Sequence, residues 1–223
     1  MCGRFFLDAD LDTLVEHFRV ERLEFDPAAY RPRYNIAPTQ DAPVVRHAHE
    51  GRSLALLRWG LVPFWADDVK TGYRMINARA ERVAQAPAYR HAFRRRRCLI
   101  PASGFYEWRA GPAGKQPYAI VPRDAPLFAF AGLWERWDKG ETPVESFTIV
   151  VTNANAALRP IHDRMPVILH PEDYDAWLDP TTPLGRLQAL LRPVEDSAVR
   201  AYPVSRRVND PRHDDPDLIR PLD

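Results

Sequence analysis

An α+β fold, with a curved or barrel-like mixed β-sheet flanked by short helices, is the class this chain predicts. Three observations carry it. Five apolar or alternating runs follow one another between Cys98 and Thr152, rich in the residues that strands favour. Runs with helical spacing are short and lie outside that stretch. The 22 prolines are scattered through 223 residues without repeat, low-complexity segment or Gly/Ser hinge, as punctuation between many short elements. A chain of this length can bury one substantial core, so one domain is expected over residues 1–223.

Taken in order, Asp10 is placed to cap a helix carrying Leu11, Leu14, Val15 and Phe18 at helical spacing, packed on the sheet. An extended, proline-bounded segment follows from Arg31 to Gln40. Ser53–Trp59 is a leucine-rich strand that runs into the turn Gly60-Leu61-Val62-Pro63-Phe64-Trp65, which carries exposed aromatics. A short helical stretch is expected after Asn77 and another over Ala88–Arg95. Strands are then expected at Cys98–Ile100, Phe105–Trp108, Tyr118–Val121, Leu127–Trp134 and Phe147–Thr152. Asn153 or Asn155 can cap a short helix through Leu158, Met165–Leu169 reads as a strand, and Pro171–Leu178 and Leu184–Leu191 read as surface helices.

Composition narrows the class of function. Hydrophobic residues make up 45% and charged residues 27%, with no run near the ~18 apolar residues of a membrane span. The first six residues show no basic region leading into an apolar one, and two cysteines do not make a disulfide framework, so a reducing cytoplasm is expected. Net charge is +1, which gives no global argument for nucleic acid. Lysine occurs only at Lys70, Lys115 and Lys139, so arginine carries nearly all the positive charge. That bias reflects either GC-rich codon usage or a demand for bidentate guanidinium contacts with phosphate. The histidines outside position 162 show no metal-ligand spacing, and neither a P-loop nor a dinucleotide fingerprint is present, so no metal and no cofactor are expected.

The residue with most chemistry in it is Cys2, followed by Gly3 and Arg4. A cysteine after an initiator methionine commonly has no role. Once Met1 is trimmed, however, it is a 1,2-aminothiol, whose amine can form an imine with an aldehyde and whose thiol can then close a thiazolidine. Both groups titrate near neutrality before environmental tuning, the amine at about 7.7–8.0 and the thiol near about 8.5.

Four segments set reactive residues beside turns or apolar residues: Met1-Cys2-Gly3-Arg4-Phe5, Asn77-Ala78-Arg79-Ala80-Glu81, Gly104-Phe105-Tyr106-Glu107-Trp108 and His162-Asp163-Arg164-Met165-Pro166. Each has a plain alternative. Alternation places Glu107 opposite its aromatic neighbours, where it would be a solvated carboxylate. His162 before Asp-Arg reads equally as a salt-bridged surface residue. Trp59 favours core packing, Arg94-Arg95-Arg96-Arg97 reads as a solvated edge, and Cys98 behaves as a small hydrophobe in a core strand.

Together these segments resemble the SRAP (SOS-response-associated peptidase) family of abasic-site processing proteins. The resemblance extends to Arg33-Tyr34-Asn35-Ile36-Ala37-Pro38-Thr39-Gln40, Trp59-Gly60-Leu61-Val62-Pro63, Cys98-Leu99-Ile100-Pro101, Ala131-Gly132-Leu133-Trp134-Glu135 and Val208-Asn209, in the family's order. It implies a sensor of abasic sites in single-stranded DNA that cross-links Cys2 to the ring-opened deoxyribose, with a possible self-processing peptidase and a weak lyase activity beside it. It implies that His162 assists opening of the sugar, that Glu107 shuttles protons beside the amine and thiol, and that Asn77 holds the sugar. It implies that Arg79 and Arg164 bind phosphates with help from Arg4, and Trp65, with Phe64 and Trp59, is a candidate for stacking on unpaired bases. The expected partner is single-stranded DNA containing an abasic site, with no membrane and no metal, and the protein is expected to be a monomer. Two rivals remain open: an N-terminal-nucleophile cysteine hydrolase using Cys2, His162 and Asn77, and a non-catalytic DNA-binding module in which Cys2 is idle.

Overall fold

The computed structural model describes residues 2–49 and 51–222. In chain order the first elements are β1 (Phe5–Leu7), α1 (Leu11–Phe18), β2 (Arg22–Leu23), β3 (Arg33–Ile36), β4 (Asp41–His47), β5 (Arg52–Trp59) and β6 (Asn77–Arg79). Then come α2 (Arg90–Arg95), β7 (Arg97–Ala102), β8 (Gly104–Gly111), β9 (Gly114–Pro122), β10 (Phe128–Trp137) and β11 (Val144–Asn153). The last are β12 (Arg164–Pro166), α3 (Tyr174–Leu178), α4 (Leu184–Ala189) and β13 (Val199–Pro203).

The β11 strand closes a ring. One of its edges runs antiparallel to β10, with Gly132 opposite Ile149, and the other runs parallel to β5, with Phe147 opposite Trp59. Because β10 also pairs with β7, β7 with β4 and β4 with β5, these five strands form a closed barrel whose edges are all paired. Beyond the β5 contact, the same two edges of β11 take β6 and β12. The predicted α+β class with a barrel-like mixed sheet is therefore the observed one.

A second sheet, ordered β13-β9-β8-β1-β3, lies on this barrel and alternation divides its residues between two cores. Phe5, Leu7, Phe105 and Ile120 face the barrel, where the Phe5 ring meets Trp59 and Phe130 edge-on at 5.1 and 6.1 Å. Phe6, Tyr106, Ala119 and Val121 face the other way and are covered by Val204, Val208 and Leu218 from the C-terminal segment. Each buried aromatic contributes about 1.5–3 kcal/mol relative to exposure, so the packing holds β1, and with it residue 2, firmly between strands. Gly104 permits this crossing, since a Cβ there would lie 2.4 Å from the Phe6 ring and 2.6 Å from the Ile120 carbonyl oxygen.

Several local expectations are corrected. The residues after Asn77 form strand β6, paired parallel with β11, followed by turns such as Ala86 N–H to Arg82 O at 2.8 Å. The β11 edge takes the backbone groups that a helix would use. Asn155 does cap Leu158 N–H through Oδ1 at 3.0 Å, but the segment makes only a turn before His162. Strand β12 ends at Pro166, with an isolated bridge between Phe130 and Ile168 beyond it. The α3 helix is anchored rather than superficial, because Trp177 is fully buried and donates from Nε1 to Cys98 O at 2.9 Å. The α1 helix forms as expected, with Asp10 accepting from Thr13 N–H at 2.8 Å. The arginine run divides: Arg94 and Arg95 are exposed, Arg96 pairs with buried Glu135, and buried Arg97 donates to the carbonyls of Phe93, Trp177 and Asp179. No helix among the described residues is long and apolar enough to cross a membrane.

Candidate active site

The site begins where β1 leaves residue 2 between the two sheets. Cys2 is buried, and its carbonyl oxygen accepts a hydrogen bond from Asn77 Nδ2 at 3.0 Å. The same Nδ2 donates to Ile76 O at 2.9 Å, which orients the amide at the start of β6. Asn77 Oδ1 is buried without a hydrogen-bond partner among the described residues, an acceptor left for something that enters. Tyr89 steadies the strand by donating its hydroxyl to Asn77 O at 3.2 Å.

Burial pushes the Cys2 thiol far above its ordinary range, and the nearby Glu107 carboxylate pushes it further, while the Arg4 backbone N–H pulls the other way. The resting group is therefore a thiol, not the near-neutral nucleophile that free cysteine chemistry suggests, and its use requires a base. Glu107 has the properties for that role. It alternates away from Tyr106 and Trp108 as the sequence requires, but the face it shares with Phe105 points into the barrel contact, so it is only 4% exposed. The solvated alternative fails because both faces of β8 are covered from Gly104 to Glu107, and exposure begins only at Trp108. Burial raises the Glu107 carboxyl to about 7, where it can gain or lose a proton at neutral pH.

His162 closes the group. Its Nε2 lies 3.8 Å from Glu107 Oε2, and its Nδ1 accepts from Arg164 N–H at 3.0 Å. That amide bond fixes the neutral ring with its proton on Nε2, the nitrogen facing Glu107. The exposed Asp163 carboxylate is 3.1 Å from Nδ1 and competes for a proton there only when the ring is charged. Burial lowers the pKa of His162 and so favours the neutral form. Glu107 and His162 line a cleft of about 460 Å³ with Trp108, Lys115 and Asn209.

Cys2 is thus joined to Asn77 by a hydrogen bond and to Glu107 by electrostatic influence, and Glu107 faces His162 at 3.8 Å, these last two residues lining the cleft. The expected trimming of Met1 concerns a residue outside those described. Among the expected DNA contacts, Arg79 is exposed at the end of β6, and Arg164 reaches across to Glu81 at 2.6 Å. Trp65 and Phe64 are 45% and 49% exposed on the turn after β5, whereas Trp59 is fully buried. Arg4 is half-buried and turns one nitrogen inward, its Nη1 donating to Asn35 Oδ1 at 2.8 Å and Val208 O at 2.6 Å.

That inward turn exposes a supporting group that reading by residue type overlooks. Asn35, fully buried, donates from Nδ2 to the carbonyls of Val208, Asp210 and His213, and Asp214 accepts from Tyr34 and Asn35 N–H and from Arg33. The clasp holds the turn carrying Asn209, whose Oδ1 accepts from Trp108 Nε1 at 2.7 Å, and so builds one wall of the cleft. The only sequence signal was the pairing of Arg33-Tyr34-Asn35 with Val208-Asn209 in the family order. No group of three or more potential metal ligands occurs among the described residues.

Comparison with known proteins gives concordant results. A family model described as SOS response associated peptidase (SRAP) matches residues 1–211. The abasic site processing protein YoqW of Bacillus subtilis (strain 168) is 43% identical over 222 residues, covering 98% of this chain and 99% of that protein. The abasic site processing protein HMCES of Gallus gallus is 32% identical over 228 residues, covering 87% of this chain and 67% of that protein. A crystal structure of a protein from Bacteroides thetaiotaomicron superposes with a TM-score of 0.89 at 25% identity, covering 99% of this chain and all of that one.

Proposed function

Because the chain belongs to the SOS response associated peptidase (SRAP) family, we propose that it processes abasic sites in single-stranded DNA, joining Cys2 to the ring-opened deoxyribose as a thiazolidine once Met1 has been removed. The observation that carries this reading is a buried carboxyl, Glu107, poised near neutrality between the Cys2 thiol and His162 at the edge of a cleft.

The residues divide the work by what each can hold. The Nε2–H of His162 can hydrogen-bond to the ring oxygen of the closed sugar. As the C1′–O bond breaks, the C1′ hydroxyl proton passes to the Glu107 carboxylate and on through His162 Nε2 to the ring oxygen, so the hemiacetal opens to the C1′ aldehyde with no net change in protons. The Cys2 amine attacks that carbon, and the resulting carbinolamine loses its hydroxyl as water when protonated Glu107 supplies the proton. The C=N bond that remains is the target of Cys2 Sγ. As the C–S bond forms, the thiol proton passes through Glu107 to the imine nitrogen, so aldehyde and aminothiol yield thiazolidine and one water. Asn77 Oδ1, the vacant acceptor, suits a sugar hydroxyl or the new N–H, and holding reactants in this way can supply several of the ~7–11 kcal/mol available to well-oriented groups. Arg79 and Arg164 would fix the strand through phosphates, and Trp65 offers a face for an unstacked base. Arg4 supports the cleft wall through the clasp and stands beside the strand as a further cation.

The thiol-hydrolase rival needs an imidazole beside the sulfur and a thiol pulled down toward neutrality. Here His162 Nε2 faces the Glu107 carboxyl, and the thiol is pushed up. The same imine would allow a slow β-elimination, a lyase side reaction, and removal of Met1 by the protein itself remains a separate activity with its own assay.

The test is direct. Protein verified by mass to begin at Cys2 is incubated with single-stranded DNA containing one abasic site, without borohydride. The expected product is a heat-stable adduct whose mass is the sum of both components less one water. Absence of an adduct overturns the cross-linking reading, and an adduct that persists in Cys2→Ala assigns the chemistry to another nucleophile.

A further inference from the structure

Positive charge around the cleft comes from two directions. On the side of β6 and β12, Arg79 is exposed, and Arg164 follows His162 by two residues. On the other side stand the β8–β9 hairpin and the C-terminal turn. Of the five lining residues, Lys115 is the single lysine or arginine. We propose that Lys115 binds a backbone phosphate of the substrate strand, holding it to the hairpin wall while Arg79 and Arg164 hold the neighbouring phosphate on the opposite side.

Register supports the placement. Lys115 pairs with Ala110 as Pro117 pairs with Trp108, so Lys115 leaves the hairpin on the Trp108 face, the face that the Asn209 turn extends. Its stem is long and its residue exposed, at the tip of the hairpin. Its charge also reaches into the site, since Lys115 is among the groups that depress the pKa of His162.

Availability supports it further. Lys139 is ion-paired with Asp67 at 3.0 Å and Arg164 with Glu81, but among the described residues Lys115 is in no ion pair. Burial is what makes a lysine a nucleophile, and Lys115 is exposed, so its contribution here is charge. The need for that charge follows from the substrate. A sugar within a strand carries a phosphate on either side, and Glu107 and Asp163 would repel both. One cation on each wall offsets this and sets the sugar between Glu107 and His162.

This inference rests on the abasic-strand reading, and the two can fail separately. The probe is a single-stranded oligonucleotide with tetrahydrofuran replacing the abasic sugar, which has no aldehyde and reports binding without cross-linking. For Lys115→Gln, the Kd should rise about 3–10-fold at low salt, and the slope of log Kd against log salt should fall by about 0.7, the value for one phosphate contact on a single strand. Lys115→Arg should recover most of both. With the aldehyde-bearing strand, the loss should fall on the DNA concentration for half-maximal adduct rate more than on the saturated rate. If Lys115→Gln keeps the wild-type Kd and salt slope, the assignment is overturned even where the wild type forms the adduct. A Lys115-dependent slope without any wild-type adduct would keep the phosphate contact and remove the cross-linking reading.

Discussion

The two cysteines lie in regions that burial alone does not distinguish. Cys2 enters β1 between the sheets, Cys98 sits within β7 of the barrel, and their exposures are 1% and 0%. In both, burial is the largest influence and pushes the thiol far up. Their surroundings differ. Cys98 packs against the Gly132 backbone, where an added Cβ would lie 2.9 Å from its sulfur, and its carbonyl is taken by Trp177. Cys2 has a titrating carboxyl near its sulfur, an oriented amide on its carbonyl, and a cleft beyond. A buried thiol is therefore inert or usable according to whether a base and an opening accompany it, and the degree of burial carries no such information.

The largest expected effect separates the two. Cys2→Ala should abolish the heat-stable adduct in a protein of near-wild-type stability. Cys98→Ala should retain the adduct and lose about 1 kcal/mol by denaturant unfolding, since Gly132 leaves the site tight and the sulfur is its filler. Equal adduct yields from both variants would show that the two thiols do not differ in use.

Next is Glu107→Gln, expected to slow adduct formation by about 10²-fold, the usual scale for loss of a proton-transfer group. Because loss of water uses the protonated carboxyl and the thiol step uses the carboxylate, the wild-type rate should pass through a maximum near pH 7, and the variant should lack that bell. Stability should move the opposite way. The folded-state value lies above the ordinary carboxyl value of 4.5, so the contribution of proton binding is full below about pH 4.5 and is lost as pH rises through about 7. At pH 8 the ionised wild type should be less stable than Glu107→Gln, by on the order of 3 kcal/mol or less, with the gap closing toward pH 4.5. A variant equally destabilised at both pH values would show the carboxyl to be structural.

These residues also show what could be read from the chain. The strand positions of β5 and β7 to β11 follow from apolar alternation, and α1 from its cap and spacing, because those signals are local. Strands β1, β3, β4 and β13 are short or contain proline, and their status depends on partners far along the chain, as with Phe5 opposite both Ile36 and Phe105. Glu107 illustrates the same limit within the site. Its alternation was legible, but that its face meets the barrel depends on how the second sheet docks. Arg4 and Asn35 were legible as polar residues in short motifs, while their joint hold on Val208 joins positions more than 170 residues apart.

The comparison extends from sulfur to arginine, where effects are smaller. Arg97 and Arg164 are both β-strand arginines, but the first is buried beneath three carbonyl acceptors, and the second is near the cleft with one ion pair to Glu81. Arg97→Met should cost about 2 kcal/mol or more of folding stability, since the carbonyls of Phe93, Trp177 and Asp179 would lose their donors. DNA binding by the folded fraction should keep its salt slope.

Arg164→Gln should do the reverse. A partly exposed pair contributes only about 0–1 kcal/mol, so the unfolding midpoint should scarcely move. The salt slope for the tetrahydrofuran strand should fall by about 0.7, with affinity weakened severalfold at low salt. Combining Arg164→Gln with Lys115→Gln sharpens the result. If the two cations hold separate phosphates on opposite walls, the slope losses add to about 1.4, because each releases its own counterions. A double variant with the slope of either single would place both cations on one phosphate, and the sugar would then be held from one side only.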